Sequence, residues 1–455
     1  MASERIQELV PELDDRIRQK FGNGDVPGLA VGVVAGDGLA WFAGYGARDV
    51  DTGAAPDERT LSRVASVTKT FTATAIMQIR DAGLLALDDP LLVHIPEFTI
   101  VNARHGSLEG VTLRRLMTHH SGLATEPPTL RWDEPSFPSA AEIIDSLADT
   151  EVVIPQDFQW KYSNLAYALL GMVIERVTGR PYADYLQGEI LTPLGLKHTA
   201  LELGPSLRAQ LAVGYSPARE GGGFRKAPYM SLNGMSPCGQ LHSNVHDLAK
   251  WVVFQFEGRL DGRSTVLSTA TLEEMHRPQY LDPGWKSGQG LGWRVQRLDS
   301  DVFNLHGGGI HGFSSNVVFH RPTKTGVIVL ANLWPVTWPY ELAMDLAQVV
   351  ASGHSHRGPE SQSTPAPAFQ EFSGKYWAEP GISVTVEIRG DALHIPLPKP
   401  GEYLLHRPAT MDREDGDVFR VREGRAAGER AVFYRSDDGS ISGFRLGGFF
   451  YERQD

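Results

Sequence analysis

The sequence predicts an α+β domain in which an antiparallel sheet is flanked by helices, joined to an all-helical subdomain and followed by a small C-terminal β-barrel. Three observations predict it. Strand patterns lie near residues 27–49 and return at 292–330, helical periodicity fills most of the interval, and beyond residue 368 the apolar period changes to two. At 455 residues the chain is also too long for one ordinary core. We expect a first domain over 1–352, a linker over 353–368 and the barrel over 369–455.

The first strands form a hairpin, Leu29-Ala30-Val31-Gly32-Val33-Val34 and Leu39-Ala40-Trp41-Phe42-Ala43, around a turn at Gly36-Asp37-Gly38. Before it, Pro11 is expected to interrupt an amphipathic pattern. Helical spacing of apolar residues then predicts helices over 64–83, around 112–118, and over 140–148, 163–178 and 244–256. Strands return at 292–295, 302–305, 315–319 and 327–330, and a helix over 336–351 is expected to pack on the closed sheet.

Residues 352–368 lack an apolar period and are rich in Ser, Pro and Gly, so they read as a linker, with His354 and His356 solvated rather than metal-bound. In the barrel region Ile382, Val384, Val386 and Ile388 alternate with polar residues. Gly390-Asp391 makes a turn, and Leu393, Ile395 and Leu397 return. Further strands over 403–406, 417–422, 430–435 and 441–451 give a meander of about eight strands, most simply an up-and-down barrel.

A net charge of -12 and a pI of about 5.7 argue against nucleic acid and anionic membrane as partners. The N-terminus lacks the basic start and apolar core of a secretory signal, so a cytoplasmic location is expected. Cys238 is the only cysteine, which rules out an internal disulfide and leaves it as a small buried apolar residue. No cofactor and no metal are expected, and the sequence is silent on oligomeric state.

Chemistry concentrates in three places. In Ser66-Val67-Thr68-Lys69 the spacing of three puts hydroxyl and ammonium on one helical face, about 5–6 Å apart at Cβ, near the positive end of the helix dipole. Nowhere else in the chain does a serine precede a lysine by three. Tyr162-Ser163-Asn164 stands just before an apolar helix. His306-Gly307-Gly308-Gly309-Ile310-His311-Gly312 is a glycine-rich strand edge that a substrate backbone can approach closely.

In this order the three motifs resemble the serine β-lactamase and penicillin-binding protein superfamily. The nearest branch is the class C β-lactamase-like (CubicO-type) one, with its D-aminopeptidase, carboxylesterase and thioesterase relatives. Leu87-Asp88-Asp89-Pro90, the stretch Val111–Leu123 and Pro193-Leu194-Gly195-Leu196 also look like that family's scaffold, and His119 and His120 read as packing and hydrogen-bonding residues within it. The resemblance covers about residues 20–350. It implies a small-molecule or peptide substrate, Ser66 as nucleophile, Lys69 and Tyr162 as proton-transfer groups, and the backbone N–H groups of Ser66 and Gly309 as oxyanion donors, with Gly308 and His306 on the same substrate-binding edge. Asn164 is implied as the group that binds the substrate amide. The C-terminal barrel resembles the lipocalin-like domain of some relatives, where Arg445 or Arg453 near the last strand could reach a substrate carboxylate but reads better as a surface residue.

Free lysine and tyrosine titrate near 10.4 and 10, so making either a base at pH 7 costs about 4 kcal/mol. A helix dipole supplies only about 0.3–1 kcal/mol, so burial and proton sharing between Lys69 and Tyr162 are expected to supply the rest. His306 stands where the penicillin-recognising pattern often has a permanently charged lysine, which favours neutral esters, thioesters or amides. Three decoys are set aside. Lys324-Thr325-Gly326 reads as a hairpin turn, His306–Gly309 lacks the Gly-x-Ser-x-Gly partner of an α/β-hydrolase, and Gly307-x-Gly309-x-x-Gly312 is followed by a strand instead of a helix. The expected activity is hydrolysis through an acyl-enzyme. Acyl transfer or peptide cyclisation, and a non-catalytic binding protein on the same fold, are the alternatives.

Overall fold

The computed structural model describes residues 2–22, 24–218, 223–258, 266–298, 301–352, 370–389, 392–396, 409–422 and 426–454. The expected linker with His354 and His356, the Gly390-Asp391 turn, Leu397 and the strand at 403–406 lie outside them. Two compact units share the chain: Met1–Leu87, Leu170–Tyr229 and Ser236–His356 make one, and Asp88–Leu169, Met230–Met235 and Arg357–Asp455 the other.

The first unit is built on an eight-stranded antiparallel sheet. Its strands are β1 (Gly28–Ala35), β2 (Gly38–Gly46), β3 (Tyr280–Leu281), β4 (Ser287–Gln289), β5 (Arg294–Leu298), β6 (Asp301–Ile310), β7 (Phe313–His320) and β8 (Thr325–Ala331), in the order β2-β1-β8-β7-β6-β5-β4-β3. Residues 29–35 pair with 325–331, so both ends of the domain close the sheet as the sequence predicts.

Every residue of β1, β7 and β8 is buried because helices cover both faces. On one face Leu29, Val31, Val33, Val327 and Val329 meet Ile6, Leu13 and Ile17 of helix α1 (Ala2–Phe21), together with Leu342, Leu346 and Val350 near the C-terminal end of the unit. Each such side chain contributes about 1.5–3 kcal/mol by leaving water. That gain explains a correction. Pro11 does not interrupt the N-terminal pattern but lies on the exposed side of α1, where inward packing outweighs one lost hydrogen bond. On the other face, helix α2 (Thr68–Asp81) stacks Phe71 on Trp251, at 3.8 Å between ring centroids.

In the second unit, short helices begin where caps allow. Thr112 caps Leu113–Met117, and Ser139 with Glu142 forms a reciprocal capping box before Ala140–Asp145. The barrel closes as β9 (Gly374–Ala378), β10 (Ile382–Arg389), β11 (Ala392–Ile395), β12 (Ala409–Asp415), β13 (Val418–Val421), β14 (Arg430–Arg435), β15 (Ile441–Leu446) and β16 (Phe449–Arg453). The sequence pattern merged the last two, which Gly447-Gly448 separates with positive φ at both residues. Inside, Tyr376, Phe419, Phe433 and Phe444 form an aromatic core. Among the described residues no helix is long and apolar enough to cross a membrane.

Candidate active site

Ser66 does not sit in the first turn of the helix, as its spacing suggested, but in a 3₁₀ turn, Ala65–Val67, immediately before α2. Ala65 has φ of +45°, a conformation that costs a non-glycine residue energy and is held here by its surroundings. Ser315 Oγ donates to the Val64 carbonyl at 2.7 Å, and Thr68 Oγ1 donates to that of Ala65 at 2.6 Å. Thus the turn is pinned from both sides. One turn on, Lys69 is fully buried and its Nζ donates to Ser66 Oγ at 3.1 Å and to the Cys238 carbonyl at 2.8 Å. Cys238 itself is a buried free thiol.

The glycine-rich stretch passes directly over this turn. A Cβ on Gly308 would lie 2.3 Å from the Val64 carbonyl oxygen and 2.9 Å from Ser66 N, so only glycine allows β6 to come this close. On Gly309 a Cβ would meet the Trp334 indole at 2.2 Å. Pairing of β6 with β5 runs to Leu305, whereas pairing with β7 continues to Ile310, so Gly307–Gly309 form an edge beyond β5. His306, nearly buried, donates from Nδ1 to the Gly307 carbonyl at 2.8 Å. Lys324 lies in the β7–β8 hairpin turn with φ of +49°, as expected of a decoy.

Beneath the Ser66 turn lies a polar cluster that the sequence did not disclose. The Arg63 guanidinium is 1% exposed, donates to Gln240 Oε1 at 3.2 Å and stacks over the Tyr229 ring at 4.9 Å. Burial pulls its pKa down to about 10, against the pull of Tyr229 and Glu202 in the other direction. Burial, reinforced by the charge of Arg63, drops His242 and His311 to about 3. Both imidazoles are therefore neutral at pH 7 beside a charged guanidinium.

Tyr162 and Asn164 belong to the second unit. Ser163 caps the helix Asn164–Thr178: its Oγ accepts from Ala166 N at 3.0 Å and donates to the Ala124 carbonyl at 2.7 Å. That cap places Tyr162 just outside the helix, packed on His119 at 4.4 Å between ring centroids. His119 also accepts from Ser163 N at 3.1 Å, so the residue read as scaffold orients the motif directly. Asn164 Nδ2 donates to Glu126 Oε1 at 2.7 Å, and Asn164 N donates to the Thr125 carbonyl at 2.7 Å.

Two residues that sequence reasoning missed complete this segment. Lys161 is fully buried and its Nζ donates to Thr125 Oγ1 at 2.6 Å and to Glu429 of the barrel, which also accepts from Thr125 Oγ1 and, at 2.9 Å, from Thr125 N. Burial pushes the Glu429 carboxyl up, but the charge and hydrogen bond of Lys161 and the bonds from Thr125 outweigh it and leave it below its ordinary value. Of the two arginines near the last strand, Arg453 donates to the Glu371 and Ser373 carbonyls and Arg445 stacks over Phe450. Among the described residues no cluster of three or more His, Cys, Asp or Glu side chains is placed to hold a metal ion.

The Beta-lactamase family model matches residues 13–351. A human beta-lactamase-like 1 protein is 28% identical over 344 residues, covering 71% of this chain and 65% of that relative. The chain spans about 59–65% of the length of the curated relatives it matches first. The octameric penicillin-binding protein homologue from Pyrococcus abyssi superposes with a TM-score of 0.65 at 23% identity, covering 97% of this chain and 100% of that one. A D-stereospecific amidohydrolase from Streptomyces sp. superposes with a TM-score of 0.58 at 25% identity, covering 72% of this chain and 95% of that one. With the matched family model spanning most of the chain and the fold shared with these structures, the protein belongs to the beta-lactamase family, in the serine β-lactamase and penicillin-binding protein superfamily.

Proposed function

We propose that the protein is a serine hydrolase that forms an acyl-enzyme at Ser66 and acts on carboxylic esters or on amide bonds of peptides containing D-residues. One observation carries the reading: a fully buried lysine amine donates to the Ser66 hydroxyl at 3.1 Å, in a turn pinned beneath a glycine edge. Ser66 Oγ attacks the substrate carbonyl carbon and its proton passes to the Lys69–Tyr162 pair. The carbonyl oxygen, now negative, is met by backbone N–H groups of Ser66 and the Gly308-Gly309 edge. As the tetrahedral species collapses, the bond to the leaving group breaks and Tyr162 returns the proton to it. A water then repeats the sequence on the acyl-enzyme, with Asn164 holding the acyl-side amide.

Similarity to a D-stereospecific amidohydrolase supports D-configured amides among the substrates. A histidine at 306 in place of a lysine supports neutral ones. The test is labelling of the full chain by a fluorophosphonate, read by mass spectrometry, with Ser66→Ala as control. Turnover is measured on p-nitrophenyl acetate, D-alanine p-nitroanilide, nitrocefin and a peptidyl thioester with and without an added amine. An adduct on Ser66 and turnover of the ester or the D-anilide are expected. Labelling that persists in Ser66→Ala, or none in the native chain, overturns the reading. Capture of the acyl group by the amine in preference to water would make it a transferase.

A further inference from the structure

The segment that carries Tyr162 and Asn164 is held by the C-terminal barrel. Two contact points do this. At the first, the turn before β14 presents Gly428, whose φ is +79° and whose Cβ, if it had one, would lie 2.5 Å from Ile154 Cγ2 and 2.8 Å from the Val153 carbonyl oxygen. Glycine is required there for the turn to seat. Val153 in turn donates from its backbone to the Gly122 carbonyl at 2.8 Å, three residues before Thr125. At the second, the last hairpin sets Gly448 against Trp132 and stacks Phe449 on it, with ring centroids 5.1 Å apart and planes within 8°.

Between these points Glu429 reaches into the segment. Its turn is closed by backbone bonds, Gly428 N to the Val421 carbonyl at 2.8 Å, Val421 N to that of Glu429 at 3.0 Å and Glu429 N to that of Ala426 at 2.9 Å. So the carboxylate is delivered from a hydrogen-bonded turn. It accepts from the Lys161 ammonium, from the Thr125 hydroxyl and from Thr125 N. Lys161 is the residue before Tyr162. Thr125 is the residue whose carbonyl receives Asn164 N and Leu165 N. One carboxylate therefore ties together both strands of chain that orient the second motif.

We propose that Glu429 is a positioning residue for Tyr162 and Asn164, so that the barrel completes the catalytic apparatus and is not an independent appendage. The proposal rests on the reading of Tyr162 given above. Losing the tie lets the two chain segments drift relative to each other, and misplacement by about 1 Å costs on the order of 10²-fold in rate.

The test uses the full chain, p-nitrophenyl acetate as substrate and the variants Glu429→Gln, Tyr162→Phe and the two combined, with melting followed by circular dichroism. Glu429→Gln is expected to lower kcat by about 10- to 10²-fold with KM little changed, and to cause no further loss when Tyr162 is already Phe. A merely structural role would give losses that multiply, and that outcome overturns the proposal. So does unchanged kcat in Glu429→Gln while Tyr162→Phe is impaired. Wild-type kcat in Tyr162→Phe is a different result: it defeats the functional reading and the proposal with it. If Glu429→Gln does not fold, Lys161→Met/Glu429→Leu replaces the buried pair by apolar side chains of similar size and is expected to melt near the native temperature with kcat still reduced. Native kcat in that folded variant overturns the proposal.

Discussion

Lys69 and Lys161 are both fully buried, yet different oxygens meet them: a hydroxyl and a backbone carbonyl at Lys69, a hydroxyl and a carboxylate at Lys161. A carboxylate fixes a lysine as a cation, because neutralising either partner leaves the other as an uncompensated buried charge. At Lys69 the hydroxyl it touches is the one that the proposed chemistry deprotonates. The contrast teaches how one family of side chains serves two ends. Under the proposed function, Lys69 serves the chemistry at Ser66 and Lys161 holds the chain that carries Tyr162.

Exchanging each lysine for methionine is the most direct way to break this contrast. Lys69→Met should cost about 10²–10⁴-fold in the rate of Ser66 acylation, the range for loss of a positioned acid–base group, while the melting temperature changes little. Lys161→Met should instead destabilise the fold by about 3–5 kcal/mol, because Glu429 is left largely out of water without its cation, and should lower kcat as Glu429→Gln does. Denaturant titration and fluorophosphonate labelling of both variants check this. If Lys69→Met unfolds the chain and Lys161→Met does not, the assignment of roles is inverted. A third variant sharpens the comparison on the Ser66 side. Gly308→Ala must move β6 off the Val64 carbonyl it would otherwise strike at 2.3 Å, and should lower kcat by about 10²-fold through lost oxyanion geometry.

The Lys161 site also predicts a pH dependence with a definite sign. The Glu429 carboxyl titrates below its ordinary value in the folded chain. Its contribution to stability is therefore fully present above the unfolded value of about 4.3, and is lost as pH falls through the lower folded value. Urea midpoints measured from pH 6 down to 3 should fall for the native chain and fall less steeply for Lys161→Met/Glu429→Leu. Parallel slopes would show that the pair contributes nothing to acid sensitivity.

These two lysines also mark how far the sequence can be read. Lys69 was legible because its partner lies three residues away and helical spacing alone brings them together. Lys161 was not, since Glu429 is 268 residues distant and only the folded unit joins them. The antiparallel sheet was legible in the continuous apolar runs of β1 and β8, which suit strands buried on both faces, and the barrel in its period of two. Where long-range contact overrode local pattern, the reading failed. Pro11 remained inside α1 because the apolar face of that helix is anchored by the sheet. Ser66 left the helix proper because Ser315 and Gly308 hold the preceding turn at Ala65 in a conformation that no local propensity favours.

The smallest expected effect concerns the charge that the Ser66 side presents to a substrate. His306 lies on β6 one residue before the glycine edge and is nearly buried, with Nδ1 bound to the Gly307 carbonyl. A lysine there would add a permanent cation. At about 4 Å from a substrate carboxylate, attraction is worth about 1 kcal/mol in bulk water and about 4 kcal/mol at an effective dielectric of 20. A longer, solvated approach should realise the lower end. His306→Lys is therefore expected to raise kcat/KM for a carboxylate-bearing ester over its neutral methyl ester by about 10-fold relative to the native chain, with a gain that shrinks as salt is added. An unchanged ratio would mean that position 306 does not face the substrate, and the preference for neutral substrates would then lose its physical basis.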